Sequence, residues 1–214
     1  MNPWKLLITL FLSLSLFSFQ PASAIMPPSK TTILVFGDSL SAAYGIPVEK
    51  GWVTLLQEKL GENFHVANAS ISGETTSGGL SRLLASLSAI KPHYLLLALG
   101  ANDGLQGKPI KELQANLEQM IKLATEENVK VILIGIHLPP NYGASYTEQF
   151  DKVYKDLAEQ YQLSFIPFLL EGVATDFNLM QADGLHPTAE AQPKILEHIW
   201  PTLEPVLVDV VKKP

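Results

Sequence analysis

The feature that most constrains this chain is a series of β-prone, mostly apolar runs separated by segments with helical spacing. The runs cover residues 31–36, 64–69, 94–99, 129–136 and 163–166. Strands that are apolar throughout are typical of parallel sheets with both faces covered by helices. The alternation therefore predicts an α/β fold with one parallel sheet, which binds its ligands at the carboxyl ends of the strands.

Between these runs, apolar residues recur three and four positions apart, which is the spacing of one helix face. The predicted helices cover residues 53–60, 77–90, 113–124 and 146–161, and a last helix follows Pro193. No internal repeat or second linker divides the sequence. We therefore expect a single domain over residues 25–214, a length that suits one hydrophobic core.

The first 24 residues have the composition of an export signal. Lys5 precedes an apolar stretch over residues 6–19, and Ala22-Ser23-Ala24 follows as an A-x-A cleavage site. The stretch is shorter than the roughly 20 residues of a spanning helix, although an uncleaved membrane anchor is the alternative. We expect an exported protein, periplasmic or secreted, that begins near Ile25 and has no stable membrane insertion.

Composition excludes several classes of site and partner. The chain has no Cys, which excludes disulfides, thiolate catalysis and metal centres built from Cys. Its formal net charge of −6 disfavours nucleic acid and anionic membranes as standing partners, because both would repel it. Nothing in the sequence demands more than a monomer.

The residues able to carry chemistry lie just after the predicted strands. Ser39 follows the first strand and is expected at the start of a turn and helix, where its backbone N–H would be unpaired. Such a serine can be a nucleophile whose own N–H helps to bind an oxyanion. A helix N-cap is the other interpretation.

Asp183 and His186 are three residues apart, a spacing that brings two side chains together on one helical turn. The carboxylate would then fix the imidazole tautomer, leaving the other ring nitrogen to accept a proton. A simple surface hydrogen bond is the alternative. A metal pair lacks support, because none of the other four histidines has ligand spacing to this pair.

Two hydrogen-bond donors follow other strands. Asn102 would project a neutral amide from the end of the third strand, and Gly73 would expose its backbone N–H after the second. Alternatively, Asn102 belongs to a turn-forming Asn-Asp pair and Gly73 is an ordinary loop glycine. Together, a nucleophile, an oriented base and two oxyanion donors at one rim of a sheet meet the requirements for acyl transfer through a covalent intermediate.

These segments resemble the four conserved blocks of the SGNH (GDSL-type) hydrolases. The blocks correspond to residues 37–40, Gly73, residues 100–103 and residues 183–186. Residues 68–73, 138–143 and 183–187 further resemble the subgroup of periplasmic thioesterase I/lysophospholipase and arylesterase enzymes. The similarity covers essentially the whole mature chain, in the same order.

The resemblance implies a three-layer, flavodoxin-like fold with five parallel strands and no cofactor or metal. It assigns Ser39 as the nucleophile, His186 as the base and Asp183 as its orienter. It further assigns an oxyanion hole formed by the Ser39 and Gly73 N–H groups and the Asn102 amide.

The resemblance also implies a serine esterase and thioesterase with a broad range of small substrates, covering aryl esters, acyl thioesters and lysophospholipids. Leu105, Ile136, Leu138 and Tyr142 are the candidates for an apolar acyl groove, although Ile136 and Leu138 can also be strand-end core. Ala101 stands where many members have Gly, which would strain the backbone if that position needs a positive φ.

Three other functions are alternatives for an exported α/β protein of this kind. A carbohydrate O-acetylesterase on the same fold would need a polar, aromatic-lined site, and a non-catalytic exported binding protein would use the same rim for a ligand. A flavodoxin-like FMN carrier would need a richer phosphate-binding loop than residues 37–41 provide.

Overall fold

The structure is a computed structural model that describes residues 30–208. The predicted export signal and residues 25–29 and 209–214 of the predicted domain lie outside this range. The strands are β1 (Thr31–Gly37), β2 (Phe64–Asn68), β3 (Tyr94–Ala98), β4 (Lys130–Ile134) and β5 (Ser164–Ile166). The α-helices are α1 (Trp52–Leu60), α2 (Thr76–Ile90), α3 (Ala101–Leu105), α4 (Ile110–Glu126), α5 (Ala144–Gln160) and α6 (Gln192–Val208).

The five strands form one parallel sheet in the order β2-β1-β3-β4-β5, which confirms the predicted fold class. Strand order reverses direction between β1 and β3, because β2 lies outside β1 and β4 lies outside β3. This is the switch point at which open α/β sheets bind ligands. Ser39 and Asn102 lie just beyond the ends of these two strands.

The two central strands are buried on both faces, as their continuous apolar sequences predict. Residues 33–36 of β1 and all of β3 are at most 1% exposed. Helices α1 and α6 pack together as one layer, while α2, α4 and α5 pack in series as the other. The core therefore extends on both sides of the sheet.

Some element bounds differ from the sequence prediction. Strand β4 ends at Ile134, two residues before the predicted end. The next residue, Gly135, passes so close to the backbone of Pro167 that no side chain would fit. Helix α3 was not predicted. Within residues 30–208, no helix has the length and apolarity that crossing a membrane would require.

Candidate active site

The turn after β1 places Ser39 at the carboxyl edge of the sheet. It is a turn and not the predicted start of a helix: Ala42 N–H bonds to the Asp38 carbonyl at 3.0 Å, but the next α-helix begins only at Trp52. The turn is fixed from inside instead. The buried Asp38 carboxyl accepts from Leu40 N–H at 3.0 Å, and the Trp52 indole donates to the Leu40 carbonyl at 3.2 Å.

Ser39, His186 and Asp183 form a continuous chain of hydrogen bonds. Ser39 Oγ lies 2.8 Å from His186 Nε2, and His186 Nδ1 lies 2.7 Å from Asp183 Oδ2. The Tyr44 ring packs beside the imidazole, with 4.4 Å between the ring centroids. The structure thus brings together residues 147 positions apart in the geometry of a nucleophile, a base and a group that orients the base.

Asp183 reaches His186 through a turn and not through the helical turn that the spacing suggested. Its Oδ1 accepts from the N–H groups of Leu185 at 2.9 Å and His186 at 3.0 Å, while Gly184 has a φ of +66°. Burial alone would raise the pKa of Asp183, but the backbone and imidazole hydrogen bonds outweigh it and lower that pKa to about 2. The carboxylate is therefore ionised throughout the neutral range.

Asn102 lies in the first turn of α3 rather than in an open turn. Its Nδ2 donates to the Glu74 carbonyl at 2.9 Å, which fixes the plane of the amide. The neighbouring Asp103 is buried and accepts from Thr76 N–H at 2.8 Å and from the Thr76 hydroxyl at 2.7 Å. These bonds join α3 to the start of α2 and hold Asn102 beside Ser39.

Ala101 does not strain the backbone. The positive φ at this position of the chain belongs to Gly100, at +129°, whereas Ala101 is the first residue of α3 and has no positive φ. A side chain at Gly100 would also collide with the Tyr154 hydroxyl. The glycine that this segment requires is present, and the substitution at Ala101 leaves the Asn102 backbone helical.

Two residues of the cavity wall carry candidate backbone donors. Ser39 and Gly73 both line that cavity, and Gly73 adopts a φ of +80° that favours glycine. Among the described residues, neither N–H has a hydrogen-bond acceptor. These groups and the Asn102 amide are the candidate oxyanion donors. The amide nitrogen also contacts the Glu74 carbonyl at 2.9 Å and Asp38 Oδ2 at 3.5 Å.

Asp38 is a second carboxyl group next to the nucleophile, and it is fully buried. Desolvation raises its pKa to about 7, aided by the negative charges of Asp103 and Glu74 and opposed by the Leu40 N–H bond. Its Oδ2 lies 3.5 Å from Asn102 Nδ2. Nothing in the sequence pattern indicated this protonation behaviour, because it depends on burial from all sides.

An apolar cavity of about 560 Å³ opens beside Ser39. Of the four predicted groove residues, Leu105, Ile136 and Leu138 line it. Tyr142 does not line it; its hydroxyl donates to the Leu105 carbonyl at 3.1 Å and so supports the wall from behind. The structure therefore does not place Tyr142 in the cavity lining, as had been predicted, but behind it.

A second set of cavity residues was missed by the sequence analysis. They all follow β5, and they are Phe168, Leu170, Ala174, Thr175 and Met180. Their position after a strand end was a usable signal, but the segment has no helical or strand periodicity to predict its path. In the described range, no cluster of His, Asp and Glu side chains could hold a metal ion.

A family model described as GDSL-like lipase/acylhydrolase matches residues 35–192, a span that includes the cavity and the whole hydrogen-bonded chain from Asp183 to Ser39. This chain belongs to that family. The predicted SGNH (GDSL-type) membership is confirmed, and with it the prediction of a hydrolase that acts on esters.

Curated members of the GDSL-like family include proteins similar to this chain over most of its length. Esterase TesA of Pseudomonas aeruginosa is 51% identical over 82% of this chain and 89% of that protein. An arylesterase of Vibrio mimicus is 46% identical, covering 87% and 94%. The thioesterase 1/protease 1/lysophospholipase L1 of Escherichia coli is 38% identical over 92% of each chain.

Solved structures of GDSL-like hydrolases have the same fold. The crystal structure of TesA superposes with a TM-score of 0.80 at 51% identity, covering 82% of this chain and 99% of that one. The psychrotrophic esterase EstA from Pseudoalteromonas, in a structure inhibited by monoethylphosphonate, gives 0.79 at 41% identity, covering 83% and 99%.

Proposed function

We propose that this chain hydrolyses acyl esters and thioesters through an acyl-enzyme on Ser39, with His186 as base and Asp183 as its orienter. The observation that carries the proposal is the unbroken hydrogen-bond chain from Asp183 through His186 to Ser39 Oγ, which ends at the mouth of an apolar cavity. A binding protein would have no need of an oriented imidazole on a serine hydroxyl.

The first half of the reaction forms the acyl-enzyme. His186 Nε2 takes the Ser39 proton as Oγ attacks the acyl carbonyl carbon, and the carbonyl oxygen becomes an oxyanion. The Ser39 and Gly73 N–H groups and the Asn102 amide stabilise that charge. When the tetrahedral intermediate collapses, His186 returns the proton to the leaving alcohol or thiol.

The second half frees the enzyme. Water gives a proton to His186 Nε2 and attacks the acyl carbon, the same donors hold the oxyanion, and Ser39 leaves with the proton. Asp183, ionised because its pKa is lowered to about 2, pairs with the imidazolium in both halves. Only side-chain and backbone groups of this chain and water are needed.

The walls of the cavity favour lipid-like and aryl acyl groups. Aliphatic and aromatic side chains dominate the lining, whereas a sugar O-acetylesterase would need polar groups to bind the hydroxyls. The names of the relatives, esterase, arylesterase and thioesterase/lysophospholipase, support the same substrates here. We therefore propose a broad range that covers aryl esters, acyl thioesters and lysophospholipids.

We also propose that the enzyme is exported, with residues 1–24 removed as a signal peptide. Expression of the full chain in a bacterial host, followed by intact-mass measurement of the periplasmic fraction, tests this. A mature N-terminus near Ile25 is expected. Recovery of the uncleaved chain in the membrane fraction would support the anchor instead.

Replacement of the nucleophile tests the proposed reaction. Ser39→Ala removes the attacking oxygen and leaves the buried contacts of Asp38 and Leu40 in place, so the fold should survive while turnover of p-nitrophenyl butyrate is lost. Ser88→Ala is the matched control, because Ser88 is an exposed serine on α2, outside the active site. Wild-type turnover by Ser39→Ala would contradict the assignment.

A further inference from the structure

A largely buried ion pair lies behind the segment that carries Gly73, and we define residues 69–74 as the oxyanion loop. Arg82 of α2 donates from Nε to the Glu74 carboxylate and from Nη1 to the Ala69 carbonyl at 2.8 Å. The two side chains are only 23% and 12% exposed. One guanidinium thus holds both ends of the oxyanion loop.

The oxyanion loop bears on two of the three proposed donors. Gly73 lies within the loop and lines the cavity, and the Glu74 carbonyl accepts one N–H of the Asn102 amide at 2.9 Å. An amide nitrogen has two hydrogens. The bond to Glu74 occupies one of them and sets the plane of the amide, while the other has only a long contact of 3.5 Å to Asp38 Oδ2. A shift of Glu74 would therefore move the Asn102 amide together with Gly73.

The surroundings of Arg82 are shaped to fix its position. The guanidinium carbon lies 3.9 Å from the centroid of the Phe36 ring, and Phe36 belongs to the strand that leads to Ser39. On the other side, the Glu74 carboxylate occupies the space above Gly78, where any side chain would collide with it. The ion pair is therefore seated between the first turns of α2 and the central strand.

Stability is a poor reason to bury this pair. Desolvating two charges can cost as much as their attraction returns, and apolar packing often stabilises a fold equally well. A planar guanidinium that makes two directed hydrogen bonds gives geometric precision instead. In an oxyanion hole, precision counts, because the donors must lie at hydrogen-bond distance from the charge that develops in the transition state.

We propose that Arg82, through Glu74, is a positioning residue that holds the Gly73 N–H and the Asn102 amide in register with Ser39. This inference rests on the proposed oxyanion hole. The proposed donors act on the transition state. Losing the Arg82–Glu74 ion pair therefore lowers kcat and leaves the affinity for substrate nearly unchanged.

Kinetics of three variants with p-nitrophenyl butyrate test the proposal. Arg82→Lys keeps the positive charge but cannot donate to Glu74 and Ala69 at the same time with a planar guanidinium. Glu74→Gln keeps the side-chain shape but removes the negative charge. Gly78→Ala displaces the Glu74 carboxylate. We expect kcat to fall about 10- to 100-fold in each, because ångström-scale misplacement has that effect, while KM stays within about twofold. Lys122→Gln, which breaks the exposed Lys122–Glu118 pair on α4, should keep wild-type kcat.

Gly78→Ala separates positioning from stability. Ala favours a helix over Gly, which offsets part of the cost of disturbing the ion pair. Urea unfolding is therefore measured beside kcat, and a loss of kcat larger than any loss of stability explains assigns the effect to positioning. If Arg82→Lys does not fold, Gly78→Ala and Glu74→Gln still test the proposal.

Combination with Asn102→Ala completes the test. If Arg82 acts through the donors, the loss of kcat in Arg82→Lys should shrink to a few-fold once the Asn102 amide is absent. Equal losses in both backgrounds, or variants with wild-type kcat, would overturn the inference alone. Wild-type kcat for Asn102→Ala would overturn the oxyanion hole and the inference together.

Discussion

Asp38 and Asp183 show how environment sets the behaviour of one residue type near one serine. Asp38 is fully buried, and desolvation raises its pKa to about 7. Asp183 is partly exposed, and its hydrogen bonds outweigh desolvation and lower its pKa to about 2. Asp38 therefore keeps its proton to a higher pH than an ordinary aspartate, whereas Asp183 is ionised at neutral pH.

The raised pKa of Asp38 predicts a pH-dependent stability. A raised folded pKa means that the native state holds a proton that the unfolded chain releases, so its contribution is present below about pH 4 and is lost as pH rises to about 7. Asp38→Asn removes this titration. Urea unfolding at several pH values should show wild-type stability falling relative to the variant by a few kcal/mol across that window. Parallel pH curves would contradict the prediction.

The lowered pKa of Asp183 has the opposite sign. Its contribution to stability is present above its ordinary pKa and is lost as pH falls towards about 2. Asp183→Asn should leave the fold intact near neutral pH but lower kcat by about 10⁴-fold, because an amide favours the wrong imidazole tautomer. Steady-state kinetics at pH 7, with circular dichroism as the folding control, measures this. A loss below tenfold would exclude the orienting role.

At the scale of elements, the active site depends on two turns that are tied to each other. The Gln181 amide donates to the Tyr44 carbonyl at 2.8 Å and to the Pro187 carbonyl at 3.0 Å. Tyr44 belongs to the turn that carries Ser39, and Pro187 follows His186. One side chain therefore couples the segments that hold the nucleophile and the base.

Gln181→Leu should loosen this coupling. Losing two hydrogen bonds is expected to lower the free energy of unfolding by about 1–3 kcal/mol, and kcat should fall roughly tenfold as the distance from His186 to Ser39 becomes variable. Gln149→Leu, on the exposed face of α5, is the matched control. Kinetics and urea unfolding of both variants should separate them; identical behaviour would show that Gln181 is dispensable.

The sequence predicted regular elements better than the turns between them. Apolar runs indicated every strand, most clearly the central β1 and β3, which are buried on both faces. The edge strand β2 has the more mixed sequence of a half-exposed strand. Ser39 and Asp183 were expected on helical turns, but both lie in turns closed by aspartate side chains, at Asp38 and Asp183. Spacing alone does not distinguish a helical turn from such a side-chain-closed turn, since both bring residues three apart together.

For the whole molecule, the order of the strands explains why residues spread over the chain meet. The carboxyl ends of β1, β2 and β3 carry Ser39, Gly73 and Asn102, and the long return after β5 brings His186 to them. The sequence predicts this convergence at one rim. It does not predict the far wall of the cavity or the Arg82–Glu74 pair, because both arise from contacts between segments that have no shared pattern.

The cavity volume predicts how activity depends on acyl length. Each buried CH₂ contributes about 0.8 kcal/mol, so kcat/KM should rise up to about fourfold per carbon until the cavity is full. Ala174→Trp should reduce kcat/KM for palmitoyl esters much more than for butyryl esters, because Ala174 lines the cavity. Glu171→Trp, on the same segment but outside the lining, is the control. Equal losses for both chain lengths would contradict an acyl-binding cavity.

Intact-protein mass spectrometry after treatment with a p-nitrophenyl alkylphosphonate tests the central claim most directly. One covalent adduct should form, peptide mapping should place it on Ser39, and both Ser39→Ala and His186→Ala should prevent it. An adduct on another residue, or labelling of Ser39→Ala at the wild-type rate, would contradict the account.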